Sequence, residues 1–301
     1  MRTLLLDVVL SLPLIGAYAL LGLGITVIYQ ASRVLNLAHG ALAMCAAYAT
    51  YQLFRWHVPM VGAVAGGLVA GAGLGVLVER VFVRRLRSAG PTTQTVGTVG
   101  ALTLAIALIA RLYGTLPVAT PLVFPQGAVH LLGGFVPYTK LGIFPIAVLG
   151  AGGLFALLEF TDIGLAMRGA AQNRRGAALR GVNPDRTALF AWVIGGTFAA
   201  LAGILLAGSG TLDPYTISLG VLPAFVAALI GGLESMPGVL AGAVVIGLVQ
   251  GVVPAAATLP AVGHIFQGVG APQLVLGVVA LVVMALRGSK LVAGDVRGDS
   301  L

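Results

Sequence analysis

Apolar residues dominate eight stretches of this 301-residue chain, and polar or glycine- and proline-rich segments separate them. A helix needs about 20 predominantly apolar residues to cross the hydrocarbon core of a bilayer. We therefore predict an all-α, polytopic bundle of about eight transmembrane helices with broken or re-entrant segments, in a single domain over residues 1–301. The predicted spans are 5–28, 36–54, 58–78, 93–112, 141–159, 188–208, 220–252 and 268–286. The first is too long for the apolar core of a signal peptide, so we expect it to be retained.

The seventh stretch is too long for one simple helix and contains a polar interruption, GGLESMPG at 231–238. Glu234 lies in this interruption, and a carboxylate inside a membrane needs water, a partner or a proton. Two interpretations stay open. The stretch is either two half-helices that meet at a polar cavity inside the membrane, or two spans joined by a turn at the membrane surface.

A second polar feature lies in the second predicted span, where Asn36 and His39 are three residues apart. On a helix, residues at this spacing share a face. The two side chains either line a path through the membrane, or form interhelical hydrogen bonds that only fix the packing. The residue pattern alone slightly favours the packing role.

Arginines concentrate in two loops, 79–90 and 160–187, which hold nine of the 17 Lys and Arg residues. Because positive residues are enriched in cytoplasmic loops, we expect both loops to be cytoplasmic and the stretch 113–140 to be extracytoplasmic. Loop 160–187 has the pattern of short surface helices, which are either a docking surface for a partner or simple membrane anchors. The sides of the two chain ends stay open, because a re-entrant pair within 220–252 would move the C-terminal end from outside to inside.

The composition supports a lipid environment. Hydrophobic residues make up 58% of the chain and charged residues 9%, with a mean hydropathy of +1.04, whereas a soluble domain carries about 25% charged residues. In a soluble protein the net charge of +8 would suggest nucleic acid. Here it marks orientation in the membrane, so we expect no nucleic acid partner.

Glycines at every fourth position from 67 to 75 predict closely packed helices.

The sequence shows no catalytic constellation. The four histidines are far apart without a partner at metal-ligand spacing, and Cys45 is the only cysteine. A nucleophile elbow and a phosphate-binding loop are also missing from the sequence. We therefore expect no catalytic residue, metal or cofactor, and ATP, if it is used, must be bound by another chain. An ion-coupled transporter or channel would need several ionisable residues in its spans, and only Glu234 is a candidate.

Four segments form a recognisable set, in the order GITVIYQASRVLNLAHGALAMCAAY, ERVFVRRLRSAGP, GLAMRGAAQNRRGAALRGVNPDRTALFAWVIGGTFAALAGILLA and AFVAALIGGLESMPGVLAGAVVIGLVQ. Together they resemble the membrane permeases of branched-chain amino acid ABC importers over most of residues 16–287. Departures occur at Ala41, where the family often has an acidic or polar residue, and at Pro223, where it often has Lys. Loop 160–187 is also unusually rich in arginine. These departures leave the substrate open, since related permeases serve urea, short amides and other amino acids.

The resemblance implies a permease subunit in a bacterial cytoplasmic (inner) membrane that moves branched-chain or other hydrophobic amino acids by alternating access. It implies four kinds of partner: a homologous second permease, two cytoplasmic ATP-binding subunits, an extracytoplasmic substrate-binding protein and the lipid membrane. The signature segments place these residues near the translocation path: Asn36, His39, Gly40, Gly231, Gly232, Ser235, Pro237 and Gly238, to which the polar interruption adds Glu234. The ATPase-coupling loop would use Arg168, Asn173, Arg174, Arg175, Gly181, Asn183 and Asp185.

Overall fold

The computed structural model describes residues 2–120, 123–125, 127–131, 134–256 and 270–296, so His264 lies outside the described residues. The described part is a helical bundle with two short β-ladders. The helices are α1 Arg2–Ser32, α2 His39–Arg55, α3 Met60–Val78, α4 Pro91–Tyr113, α5 Tyr138–Phe160, α6 Asp162–Gln172, α7 Arg174–Leu179, α8 Pro184–Ala207, α9 Pro214–Leu219, α10 Val221–Ile230, α11 Met236–Ala256 and α12 Ala271–Val296. A π-helical turn, Glu79–Val83, and a 3-10 turn, Arg87–Ala89, join α3 to α4.

Among the described residues, six helical stretches are long and apolar enough to cross a membrane. They belong to α1, α3, α4, α5, α8 and α11. Shorter apolar stretches run over Pro214–Ile230 and Ala271–Leu286. The prediction of a polytopic helical membrane protein is therefore confirmed. Helix α1 lies at the centre, where 72% of its most apolar window is buried against α5, α8, α10 and α11.

Small residues set the spacing between these helices, as the glycine pattern predicted. A Cβ atom built on Gly71 of α3 would lie 2.4 Å from the Cβ of Ala200 on α8. One built on Gly75 would lie 2.3 Å from the carbonyl oxygen of Trp192. The α3 and α8 backbones are in direct contact at both points, which only a missing side chain permits.

The two ends of the bundle differ in structure. At the hairpin end, strand β2 (Ala128–Leu131) pairs antiparallel with β3 (Gly134–Pro137), and β1 (Val118–Ala119) pairs with β4 (Thr211–Leu212). The basic end carries α6, α7 and the turn Glu79–Val83. Glu79 of the first arginine-rich loop and Arg174 of the second line the same cavity of about 250 Å³. Both arginine-rich loops therefore lie at one end, as the positive-inside pattern requires.

The seventh apolar stretch is two antiparallel helices, α10 and α11, that reverse direction at 231–235. A Cβ on Gly242 would lie 2.2 Å from the carbonyl oxygen of Ala227, so the two helices pack backbone to backbone. Helix α11 alone is long enough to span a membrane, so it is not one of two half-helices. The reversal lies at the basic end, which favours the surface-turn interpretation of GGLESMPG over a junction inside the membrane.

A second break separates α1 from α2 and corrects one expectation. Asn36 lies in a non-helical segment, 33–38, and α2 begins only at His39. The two residues therefore do not share a helix face; they are joined by a turn in which the His39 amide donates to the Asn36 carbonyl at 3.2 Å. The His39 ring packs on Gly24 of α1, eight residues before the end of that helix. At 1.5 Å per residue, α2 begins about 12 Å inside the bundle.

Candidate functional site

Two deeply buried polar side chains lie at the break between α1 and α2. Asn36 is 1% exposed and His39 is 0% exposed. The Asn36 side-chain amide makes no hydrogen bond with any described residue, whereas the His39 ring lies within reach of the Leu21 backbone on α1. Because an unsatisfied buried polar group costs about 1–3 kcal/mol, the burial of the Asn36 amide is unfavourable for folding by itself. Both interpretations of the pair stay open, since an unpaired amide suits a polar path and the contact between His39 and Leu21 suits interhelical packing.

Thr98 of α4 holds the break in place. Its hydroxyl accepts a hydrogen bond from the Leu37 amide at 3.0 Å and donates to the Thr95 carbonyl of α4 at 2.7 Å, with the Leu35 carbonyl farther away at 3.3 Å. The side chain is completely buried. It satisfies the Leu37 amide, which lacks a helical partner, as an irregular segment inside a membrane protein requires. The hydropathy pattern does not single out Thr98. The signal in the sequence is a row of hydroxyl and amide residues, 92–98, at the start of an otherwise apolar span.

Gly40 lies where the start of α2 comes close to the end of α9. A Cβ atom built on it would lie 2.0 Å from the carbonyl oxygen of Ser218, near the end of α9. The first turn of α2 and the last turn of α9 therefore touch in the interior. The structure explains Gly40 by this contact, and any larger residue would force α2 and α9 apart.

The GGLESMPG segment, 231–238, forms the turn between α10 and α11 and the first residues of α11. Gly231 and Gly238 face each other across it, since a Cβ on Gly238 would lie 2.8 Å from the Gly231 Cα. The Ser235 hydroxyl accepts from the Gly238 amide at 3.2 Å, as an N-cap does. Gly232 has a φ of 76°, the left-handed conformation that favours glycine. These residues shape the turn, which holds Glu234 exposed at the basic end.

Glu234 makes an ion pair with Arg33, in which Nη1 lies 2.6 Å from Oε1. Burial would lower the pKa of the Arg33 guanidinium, but the hydrogen bond to Glu234 and its charge outweigh burial and raise that pKa above its ordinary value. The Arg33 guanidinium therefore stays charged at physiological pH. The structure brings the GGLESMPG segment to the start of segment 33–38, while Asn36 and His39 lie deeper in the bundle.

An apolar groove of about 420 Å³ runs between α1, α5 and α11. Pro237 lines it close to the turn, together with Ile15, Ala19, Phe144, Val148 and Leu240. The groove extends for several helical turns along the side of α1, the helix that also contacts His39. An aliphatic side chain fits such a surface without loss of hydrogen bonds.

The second predicted set of residues surrounds an open cavity of about 690 Å³ at the basic end. The cavity is lined by Arg174, Arg175, Gly181, Asn183 and Asp185. Five of the seven residues predicted for coupling therefore lie together on one exposed surface, which we call the α7 surface.

Local sequence explains why the α7 surface has its shape. The Asn173 side chain accepts from the Gly176 amide at 2.7 Å and starts α7. The Asn183 side chain accepts from the Asp185 amide at 3.0 Å and starts α8, with Pro184 in the first turn. An ion pair of 2.5 Å between Arg174 and Asp185 closes the surface. Arg168 lies apart, on α6, where it pairs with Glu159.

Comparison with known proteins identifies the family. The family model described as "Branched-chain amino acid transport system / permease component" matches residues 8–286. The chain is 26% identical over 250 residues to the Escherichia coli K12 high-affinity branched-chain amino acid transport system permease protein LivH, covering 78% of this chain and 81% of that protein. It is 27% identical over 249 residues to the corresponding Pseudomonas aeruginosa protein BraD, with the same coverage.

A probable branched-chain amino acid transport permease protein LivH from Methanocaldococcus jannaschii is 28% identical over 247 residues, covering 78% of this chain and 76% of that protein. The matched residues contain segment 33–38, the α10–α11 turn and the α7 surface. This chain is a multi-pass membrane protein that belongs to the branched-chain amino acid transport permease family.

Proposed function

We propose that this permease forms the translocation path of an ATP-driven importer for branched-chain or other hydrophobic amino acids. The observation that carries the proposal is the family match over residues 8–286, whose curated relatives are branched-chain amino acid permeases. The buried polar residues and the apolar groove agree with such a substrate, which combines a charged amino acid backbone with an aliphatic side chain.

The energy source would be a separate pair of ATP-binding subunits on the basic end. No phosphate-binding loop occurs in the sequence, whereas the α7 surface offers an exposed cavity with arginine, asparagine and aspartate around it. Asn173 would shape this surface, and Arg168 would take part from α6. A homologous second permease and an extracytoplasmic substrate-binding protein would complete the assembly.

The path would pass the break between α1 and α2. Asn36 and His39 would offer hydrogen bonds to the polar part of the substrate when the bundle opens, and Gly40 would let α9 close against α2. The turn residues Gly231, Gly232, Ser235, Pro237 and Gly238 would form the inner end of the path, with Glu234 at its mouth. The α1–α2 break and the α10–α11 turn would move around a central site, and this movement would provide alternating access.

Docking on the α7 surface is tested with Gly181→Glu. The tagged complex is purified and its content of ATP-binding subunit is measured. We expect a loss of about tenfold, because the new carboxylate projects from the centre of the surface and one lost interfacial contact of about 1.4 kcal/mol changes affinity tenfold. Transport into proteoliposomes should fall in parallel.

Gly114→Glu is the matched control. Both glycines have a left-handed φ, 83° and 84°, and open space where a Cβ would be added. A glutamate strains the backbone at both positions, but Gly114 lies at the hairpin end. Equal loss of the ATP-binding subunit in both variants would contradict docking at the α7 surface. ATP-independent transport by the wild-type chain alone would contradict the proposed function and favour an ion-coupled transporter or a channel.

A further inference from the structure

We propose that Arg33 is a positioning residue for transport: its ion pair with Glu234 ties the α10–α11 turn to the break between α1 and α2, and transmits movements of α6 to both. The inference rests on the proposed function, because it assigns a route by which the ATP-binding subunits would act on the path.

The contacts at Arg33 join the two irregular segments of the bundle. Arg33 is the first residue of segment 33–38, and Glu234 lies in the turn 231–235. Besides the ion pair of 2.6 Å, the Gln30 side-chain amide donates to the Glu234 carbonyl at 2.6 Å. Two side chains from the end of α1 thus hold one residue of the turn, once by its carboxylate and once by its backbone.

The backbone has an uncommon conformation at Arg33 and at Leu233, the residue before Glu234. Arg33 has a φ of 57° and Leu233 a φ of 61°, in the left-handed region that non-glycine residues rarely adopt. Such residues keep this conformation only where surrounding contacts impose it. Backbone hydrogen bonds accompany both turns, from the Arg33 amide to the Tyr29 carbonyl at 2.7 Å and from the Leu233 amide to the Ala228 carbonyl at 2.9 Å. The ion pair links these two turns to each other.

Helix α6 faces this contact across a cavity of about 270 Å³. Arg33 and Glu234 line one side, and Met167, Arg168, Ala171 and Gln172 of α6 line another. The cavity separates this side of α6 from the pair, so a shift of α6 into it would reach Arg33 and Glu234. Such a shift would bring a second guanidinium, that of Arg168, toward Glu234.

The exposure of the pair fits a switchable contact. The side chains of Arg33 and Glu234 are 51% and 64% exposed. Ion pairs this exposed contribute little to folding stability. Arg33 and Glu234 can therefore separate and re-form during a cycle without unfolding the bundle, which a buried pair could not do.

The test uses Arg33→Glu, Glu234→Arg and the swapped double variant in the purified complex with its ATP-binding subunits and binding protein. Transport and ATP hydrolysis are measured together in proteoliposomes. We expect the ratio of substrate transported to ATP hydrolysed to fall about tenfold in each single variant, as for a coupling free energy of ordinary size. The double variant should recover most of this ratio, since it restores opposite charges at the same two positions.

Arg85→Glu is the control for charge, because Arg85 is exposed in the basic loop and belongs to neither segment; it should retain the wild-type ratio. Wild-type ratios in both single variants, or no recovery in the double variant, would overturn the role of Arg33.

If charge reversal prevents assembly, Arg33→Lys and Arg33→Gln are compared instead. Arg33→Lys should keep the ratio of substrate transported to ATP hydrolysed, and Arg33→Gln should lower it. Equal ratios in these two variants would overturn the proposal. Failure of the wild-type complex to transport with ATP would instead contradict the proposed function.

Discussion

At the scale of single residues, the most informative feature is buried polarity without partners. Asn36 and His39 are almost completely buried, and the Asn36 side-chain amide lacks a hydrogen bond among the described residues. Thr98, equally buried, is different because its hydroxyl accepts a hydrogen bond from the backbone of segment 33–38. Burial alone does not show what a polar side chain does, so its hydrogen-bond partners must be considered as well.

This contrast predicts that Asn36→Leu separates stability from transport. Leucine removes an unsatisfied buried amide at similar volume, so the free energy of unfolding should stay within about 1 kcal/mol of wild type or rise, since replacing an unpaired polar group by an apolar one is near neutral or stabilising. Transport should fall about tenfold or more if the amide binds substrate with a typical contribution of about 1.5 kcal/mol.

The measurements are a thermal melt and substrate uptake by the purified complex. His39→Leu provides the second case, with the same expectation for transport. A variant that melts well below wild type while its surviving fraction transports normally would show that Asn36 or His39 only supports packing.

At the scale of elements, the bundle depends on glycine where two backbones touch. Helix α3 packs through Gly71 against Ala200 and the Gly196 carbonyl of α8, and through Gly75 against the Trp192 carbonyl. In a membrane such contacts supply packing that the hydrophobic effect does not provide between helices. The same device appears between α10 and α11, where Gly242 contacts Ala227.

We predict that Gly71→Val destabilises the protein by about 1–3 kcal/mol, the usual cost of overpacking. The first added carbon would already lie 2.4 Å from the Ala200 Cβ, so α3 and α8 must separate. Gly73→Val is the control on the same helix, because nothing lies within 4 Å of its added Cβ. Thermal melts in detergent compare the two, and equal melting temperatures would contradict the packing described here.

At the scale of the whole molecule, the distribution of charge and the chain topology indicate the same orientation in the membrane. Both arginine-rich loops, α6 and α7 lie at one end, and the β-hairpin 128–137 lies at the other. Helix α1 connects the two, since Leu6 near its start contacts Gly134 of the hairpin and Arg33 after its end contacts Glu234. We therefore expect the hairpin end outside the cell and the basic end in the cytoplasm.

Labelling of single cysteines tests this orientation. Cys45 is the only native cysteine and is replaced by alanine; Gly114→Cys then reports the hairpin end and Arg85→Cys the basic end. A membrane-impermeant thiol reagent should label Cys at position 114 in intact cells, and label position 85 only after permeabilisation. The reverse pattern would place the α7 surface outside, where ATP-binding subunits could not dock.

The sequence by itself determined that this is a helical membrane protein and that its arginines collect at one end of the bundle. Apolar runs of sufficient length leave a membrane bundle as the only way to bury them, and the clustering of arginines places both loops on one side. The starts of α7 and α8 likewise depend on local sequence, because the Asn173 and Asn183 side chains accept from amides within three residues of themselves. These features depend on neighbours along the chain.

Only the tertiary structure decided what the polar interruptions do. It placed Asn36 before α2 instead of on it, moved the GGLESMPG turn to the basic end, and joined Glu234 to Arg33, some 200 residues earlier in the chain. It also showed that Thr98, from a third segment, supports the break at 33–38. Each of these facts depends on contacts between helices distant in sequence, and hydropathy carries no information about which helices meet.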